Sequence, residues 1–286
     1  MNITRLHDVH EFWRQVAPLY TVDPVRHTIA LTVLRRVREG HGFSDQAPVM
    51  MTIEDDGKLV GSVFCTPPFP LGLSAMPIEA ARPVAEFALA EGLRPSSALG
   101  EHEVVDAFAA AWHELTGATS SVDTDERLYR LSETEFTPPT NVPGELVMAG
   151  EDDFDVLVRF RREFAIETQH RPELDNAERG VRALFASGGG QGLWWVDGRP
   201  VSLAAASKPI EGMSRIAPVY TPQAERGHGY GSAVTAGVSQ WAIDQGASDV
   251  VLFTDLANPI SNSIYQRIGY RPVMDIVEVA FAESAS

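Results

Sequence analysis

The stretch that decides the fold is 213–221, MSRIAPVYT, followed by Pro222-Gln-Ala-Glu-Arg226-Gly-His-Gly-Tyr-Gly231-Ser232 and then by AVTAGVSQWAIDQG, 233–246. The first segment is β-prone and stops at a proline. The last has helical spacing from Ala233 to Gln245 and a closing glycine at Gly246. Strand, glycine-rich turn, helix is the resulting order. Gly227, Gly229 and Gly231 alternate, so a ligand can approach their amides without Cβ atoms in the way. The unpaired N–H groups and the dipole of the following helix make the same place locally positive. This is a cradle for an anion such as a pyrophosphate, with Arg226 at its entrance to add a charge-assisted contact.

Three phosphate motifs compete for this loop. A P-loop needs Gly-Lys-[Ser/Thr], and neither Lys58 nor Lys208 is near. The dinucleotide fingerprint G-x-G-x-x-G is not matched by G-x-G-x-G, although Asp255, at the end of a strand from Asp249 to Thr254, mimics its ribose-binding acid. The third is R-x-x-G-x-G, Arg226 to Gly231. Downstream come Asn258, then Tyr265, then Gly269-Tyr270, on a helical stretch that places Ile264 and Ile268 on one face.

In these two ordered motifs the sequence resembles the GNAT superfamily of acyl-CoA-dependent N-acyltransferases, over about 146–282. The resemblance implies that Val219 and Thr221 offer backbone groups to the pantetheine arm of acetyl-CoA or another acyl-CoA. It implies that Arg226, Gly227, Gly229, Tyr230, Gly231 and Ser232 surround the pyrophosphate, and that Asn258, with Asn262 assisting, holds the arm from the neighbouring strand. Tyr265 is implied as the acid that protonates the leaving thiolate. The family often carries a carboxylate base on the strand before the loop, and Ser214 to Tyr220 has none. Glu211, Glu167, Asp255 or water remain as bases, with His228 read as facing solvent.

Outward from this segment, three prolines and a glycine in SETEFTPPTNVPGE (132–145) mark a boundary. After it, helices are expected at Phe154–Thr168 and Asn176–Ala186, and strands at Leu193–Val196 and Val201–Ser207 about the turn Asp197-Gly198-Arg199. Before it, the same order is expected: helices at Val9–Tyr20 behind Asp8 and at Val25–Arg38 behind Asp23-Pro24, then strands at Pro48–Ile53 and Lys58–Thr66 about Asp55-Asp56-Gly57, helices near 79–91 and 101–115, and a strand at 126–131. EDDGKLVGSVFC (54–65) and WVDGRPVSLAAA (195–206) form a faint internal repeat. The expected architecture is α/β, two GNAT-like domains, each a mixed central sheet flanked by helices. Residues 1–137 are a degenerate domain without a cofactor loop, because the stretch taken as its counterpart, Pro67 to Pro77, is rich in prolines that have no N–H to donate. Residues 142–286 are the acyl-CoA-binding domain.

Composition narrows the function classes. The 286 residues are 44% hydrophobic and 22% charged, ordinary globular usage. The net charge of −16 argues against phosphate-backbone binding, so nucleic acid is not an expected partner. No apolar run approaches the ~20 residues of a membrane span, and MNITRLHDVHEFW has no signal-peptide character, so a cytoplasmic protein without a membrane partner is expected. Cys65 is the single cysteine and sits in an apolar run, which disfavours an acyl-cysteine step. The spacing His7-x-x-His10, and His102 with His113, lack a third placed ligand, so no metal is expected. The expectation is acyl transfer, most simply acetyl transfer, to a primary amine on a small molecule or peptide, by direct attack in a ternary complex. A non-catalytic acyl-CoA sensor and an NAD(P)-dependent oxidoreductase are the alternatives. The amine itself and the oligomeric state are not legible.

Overall fold

The structure, a computed structural model, describes residues 1–42, 44–168 and 176–282. The chain runs twice through the same series of elements. In the first pass these are β1 (Asn2–Leu6), α1 (Val9–Thr21), α2 (Thr28–Arg38), β2 (Val49–Asp55), β3 (Lys58–Cys65), β4 (Leu71–Ala75), α3 (Ala81–Ala90), β5 (Ser97–Gly100), α4 (His102–Thr116) and β6 (Thr119–Ser132). In the second they are β7 (Glu145–Met148), α5 (Phe154–Thr168), α6 (Ala177–Ala186), β8 (Gly190–Val196), β9 (Arg199–Ala206), β10 (Met213–Tyr220), α7 (Tyr230–Asp244), β11 (Asp249–Asp255), α8 (Pro259–Ile268) and β12 (Arg271–Ala282).

Local chemistry explains why both passes start alike. Asp8 caps α1 by accepting the Glu11 N–H at 2.7 Å. The hairpins β2–β3 and β8–β9 turn on Asp56-Gly57 (φ 48° and 73°) and Asp197-Gly198 (φ 48° and 74°). Two consecutive residues at positive φ make the tight turn whose twist matches paired strands. The internal repeat suggested by these two stretches is therefore a repeat of structure.

Contact density divides the chain into two compact units. The first comprises residues 1–128, 255–257 and 273–286; the second comprises 129–254 and 258–272. In the first, the strand order is β1-β2-β3-β4-β5-β12, so the last strand of the second pass completes this sheet, from Val277 opposite Gly100 to Ala280 opposite Ser97. In the second, β7, β8, β9, β10 and β11 follow one another, and the end of β6 beyond Tyr129 counts with them. Each sheet is mixed: β4 runs parallel to β5 and β10 parallel to β11, while the other registered pairs are antiparallel. The first core gathers Met51, Val63, Leu73, Val84, Phe108 and Trp112. In the second unit, one cluster includes Ile216, Val234, Leu252, Tyr265 and Tyr270, and another includes Leu157, Phe160, Val181, Leu203 and Tyr220.

Three expectations change. The helix expected from Val25 starts at Thr28, because Asp23 closes a turn of its own, accepting Arg26 N–H on its carboxylate and His27 N–H on its carbonyl. The helix expected from Ala233 starts a turn earlier, at Tyr230. Pro67–Pro77 is not the counterpart of the glycine loop, since it contains β4; the counterpart is Met76–Ala80, a short 3-10 turn leading into α3. Strands β1, β4, β5, β7 and β12 are short or lack clean alternation and were not expected.

Candidate active site

The site lies in the second unit and begins with a parting of strands. β10 pairs with β11 only from Met213 to Arg215. Beyond that its partner is β9 alone, with a register shift between Ile216 and Val219. A bulge bends a strand and increases its twist. The edge of β10 from Ile216 to Tyr220 is thus left without a strand partner on the β11 side, and Val219 lies on it. Ser202 holds the end of β10 in place: its hydroxyl donates to the Tyr220 carbonyl at 3.0 Å and lies 2.8 Å from the Thr221 hydroxyl.

After Thr221 the chain enters the glycine loop. Gly227 and Gly229 both have φ of 85°, a conformation that side chains disfavour. A Cβ on Gly229 would come within 3.2 Å of Val142, and one on Gly231 within 3.1 Å of the Thr221 hydroxyl. Gly229 caps α7 with no side-chain hydrogen bond, so the first-turn amides from Tyr230 to Ser232 have no partner within the helix. Arg226 is less available than its sequence position suggests. Its Nε donates to the Thr221 carbonyl at 2.9 Å and its Nη2 to Glu167. Both ties also change the expectations for Thr221, whose carbonyl is already engaged, and for Glu167, which is an ion-pair partner before it is a base.

Tyr265, on α8, joins the cluster of Ile216, Leu252 and Tyr270, with Val219 packed at its margin. The ring is 8% exposed, and burial pushes the phenol up to about 12. Its hydroxyl has no hydrogen-bond partner among the described residues, yet it is not sealed from the surface. The adjacent Tyr270, 6.0 Å away ring to ring, is the opposite case: it is fully buried and its hydroxyl pairs with Ser239 at 2.8 Å. Tyr270 is tied into the core by its hydroxyl, whereas the Tyr265 hydroxyl is not.

The two asparagines differ. Asn258 caps α8, its Oδ1 accepting the Ser261 N–H at 3.0 Å, and Nδ2 is the donor it has left among the described residues. Asn262 is engaged at both ends: Oδ1 accepts from the Tyr129 hydroxyl at 2.9 Å and Nδ2 donates to the Asn258 carbonyl at 2.8 Å. It braces α8 against β6. Tyr129 and Ser202 were missed in the sequence because neither lies in a motif; their roles appear only when β6 meets α8 and β9 meets β10.

No carboxylate lies on β10, as read from the sequence. Glu211 is in the tight turn before Met213, at the end of β10 away from the parting; the eight residues of β10, at ~3.3 Å each, lie between it and Thr221. That removes it as a base. The Asp255 carboxylate accepts the Ala257 N–H at 2.7 Å. Glu163 and Glu167, both on α5, act on the Tyr220 phenol, which burial first and then these charges hold above the ordinary range. Among the described residues no three His, Cys, Asp or Glu side chains are grouped to hold a metal, and no helix is long and apolar enough to cross a membrane.

Parted parallel strands, a glycine-capped helix start and a buried phenol thus belong to the second unit. Residues 155–270 match the model of the acetyltransferase (GNAT) family. Among solved structures, the chain resembles a tandem GNAT protein from the clavulanic acid biosynthesis pathway at 12% identity, over 100% of both chains, with a TM-score of 0.64. It also resembles a GNAT-family acetyltransferase from Colwellia psychrerythraea, at 13% identity over 99% of this chain and 100% of that one (TM-score 0.61). A GCN5-related N-acetyltransferase from Kribbella flavida is 22% identical over 83% of this chain and 87% of that one (TM-score 0.54). At these identities the likeness is one of fold, and it spans both passes of the chain. No curated protein matches the sequence.

Proposed function

We propose that the protein is a cytoplasmic N-acetyltransferase that moves the acetyl group of acetyl-CoA to a primary amine of a small molecule or peptide, by direct attack in a ternary complex. Residues 142–286 carry the acyl-CoA site and residues 1–137 form a GNAT-like domain without one. The observation that carries this reading is the parting of β10 from β11 after Arg215, which opens a strand edge toward a helix start that has no cap of its own.

The residues divide the work. The edge around Val219 and the Thr221 backbone take the pantetheine amides, Asn258 Nδ2 meets the arm from the side of β11, and the amides from Gly227 to Ser232 bind the diphosphate, with Arg226 turning from Glu167 toward it. An acyl-CoA bound there supplies the thioester. Tyr265, kept protonated at neutral pH by its burial, donates a hydrogen bond to the departing sulfur. With the phenol pushed up to about 12 and a thiol at ~8.5, complete proton transfer is uphill by roughly 3.5 pH units, so the hydrogen bond to the developing thiolate supplies the stabilisation. With no carboxylate on β10, water takes the proton of the incoming ammonium. Positioning supplies the rest of the rate.

Thermal unfolding with saturating acetyl-CoA, NAD or NADP tests the reading. A ligand that binds only the native state raises stability, by about 2.7 kcal/mol at a hundredfold excess over Kd. Acetyl-CoA alone is expected to shift the midpoint, and thiol release with a panel of amines is expected to find turnover. Stabilisation without any turnover would favour a sensor, for which the missing β10 carboxylate is the one supporting observation.

A further inference from the structure

Tyr129, near the end of β6, is counted with the second unit, and its side chain is fully buried in the cluster that holds Tyr265. Its hydroxyl meets α8 at two points. It donates to Asn262 Oδ1 at 2.9 Å and accepts from Gln266 Nε2 at 3.0 Å. A phenol has one hydrogen, which goes to Asn262, so the Gln266 amide is the donor in the second bond. Asn262 and Gln266 are four residues apart and share one face of the helix. Two directional bonds a turn apart, converging on one atom, hold the helix against rolling about its axis; apolar packing is non-directional and resists such a roll weakly. Tyr265 immediately precedes Gln266 and leaves the helix about 100° round from it. Asn262 carries the tie on to the helix start, where its Nδ2 donates to the Asn258 carbonyl at 2.8 Å.

We propose that Tyr129 is a positioning residue for acyl transfer: by fixing the roll of α8 it aims the Tyr265 phenol at the sulfur of the acyl-CoA. This rests on the acyl-CoA reading above and on Tyr265 as its acid. A side-chain atom lies roughly 6 Å from a helix axis, so a roll of about 10° carries it ~1 Å. That distance takes a well-made hydrogen bond out of range, and a misplacement of about 1 Å can cost ~10²-fold in rate. Among the described residues the Tyr265 hydroxyl has no bond of its own to hold it, so its direction is set by the helix that carries it. Tyr129 does not touch the reacting atoms and acts through α8 alone.

The test follows the thiol of bound CoA, whose ionisation is favoured by a phenol that donates to the thiolate. The thiolate absorbs ultraviolet light more strongly than the thiol. The complex with desulfo-CoA, which lacks the sulfur, supplies the baseline between about pH 7 and 10, either side of the ~8.5 of a free thiol. Tyr265→Phe is expected to raise the midpoint of thiol ionisation by about one pH unit, and Tyr129→Phe, which keeps the ring and loses the hydroxyl, by roughly half of that. In the Tyr265→Phe background Tyr129→Phe is expected to add nothing, and calorimetric affinity for desulfo-CoA is expected to stay within about twofold of wild type in every variant. Gln266→Met, at an exposed position, removes one of the two bonds and should move the midpoint the same way by less; it carries the test if Tyr129→Phe does not fold. The inference is overturned if Tyr129→Phe titrates like wild type, or shifts the midpoint equally with and without the Tyr265 phenol, since either result confines Tyr129 to holding the fold. A Tyr265→Phe variant that titrates like wild type would instead remove Tyr265 as the acid, and the inference with it. Wild type that binds neither CoA nor desulfo-CoA would overturn the acyl-CoA reading itself.

Discussion

The two passes of the chain share their architecture and differ where a ligand would be held. Both have the same ten elements, the same Asp-Gly hairpin turn and a short parallel pairing that soon lapses: β4 meets β5 only at Leu71 and Gly72, as β10 meets β11 only from Met213 to Arg215. The next segments diverge. In the second pass the chain reaches α7 through Gly227 and Gly229 at positive φ; in the first it reaches α3 through Pro77 and a 3-10 turn, with Ala80, in the ordinary right-handed conformation, at the helix cap. Seven residues past the following cap stands Tyr265 in one and Phe108 in the other, counted from Asn258 and Glu101. Phe108 is fully buried and stacks on Trp112. The strands and hairpin turns are common to both passes; the glycines at the helix cap and the phenol belong to the second alone.

Exchange of that one ring gives the largest expected effect. Tyr265→Phe should lower kcat by roughly 10²–10⁴ with acetyl-CoA affinity nearly unchanged, read by thiol release and by calorimetry; an unchanged kcat would take the phenol out of the mechanism. The converse, Phe108→Tyr, should yield no activity and instead destabilise the protein by about 1–3 kcal/mol, because its hydroxyl would be buried among apolar neighbours. Next in size is Gly229→Val. A β-branched residue at φ 85° is strained, and its Cβ meets Val142. KM for acetyl-CoA is expected to rise about tenfold, in line with roughly 1–2 kcal/mol of displaced backbone, whereas Ala80→Gly in the first pass should confer no acetyl-CoA binding.

The same contrast shows what a sequence discloses. The loop from Arg226 to Gly231, Tyr265 and both hairpins are legible because glycine geometry and turn chemistry are local: Asp56-Gly57 and Asp197-Gly198 can be read within a dozen residues. The exchange of last strands is not, since nothing in Arg271–Ala282 says that Val277 will lie opposite Gly100 rather than within its own pass. Nor are the engagements of Arg226 with Glu167 and of Asn262 with Tyr129, which join residues 59 and 133 positions apart. The loop before α3 was misplaced for a related reason: the proline-rich Pro67–Pro77 looks like a connection, and the five-residue β4 inside it has no alternation to betray it.

The two helix caps offer a smaller test. Asn258→Ala removes a side chain that accepts the Ser261 N–H, at a cost of about 1 kcal/mol, and also removes Nδ2, so weaker acetyl-CoA binding should accompany the lower melting temperature. Glu101 caps nothing with its side chain and instead pairs with Arg26. Glu101→Gln should cost only the ~0.2–1 kcal/mol of an exposed pair and leave ligand binding untouched. Equal losses of binding in the two variants would show that the first pass takes part in the site.

The smallest effect is expected from the acid response of the first unit, where Arg127 grips Asp275 through Nε at 2.6 Å and Nη2 at 2.7 Å. Arg127 holds that carboxyl below its usual 3.8. A carboxyl that ionises more readily folded than unfolded contributes stability that is complete above the unfolded value and disappears as pH falls through the folded one. Asp275→Asn should therefore lower the urea midpoint at neutral pH and have little effect below about pH 3, with a difference no larger than the ~1 kcal/mol of a partly exposed pair. Acetyl-CoA turnover should be unaffected, since neither residue belongs to the glycine loop or to α8. A variant that folds with a normal midpoint yet loses turnover would place the pair in the chemistry, and the division of labour between the two passes would then have to be redrawn.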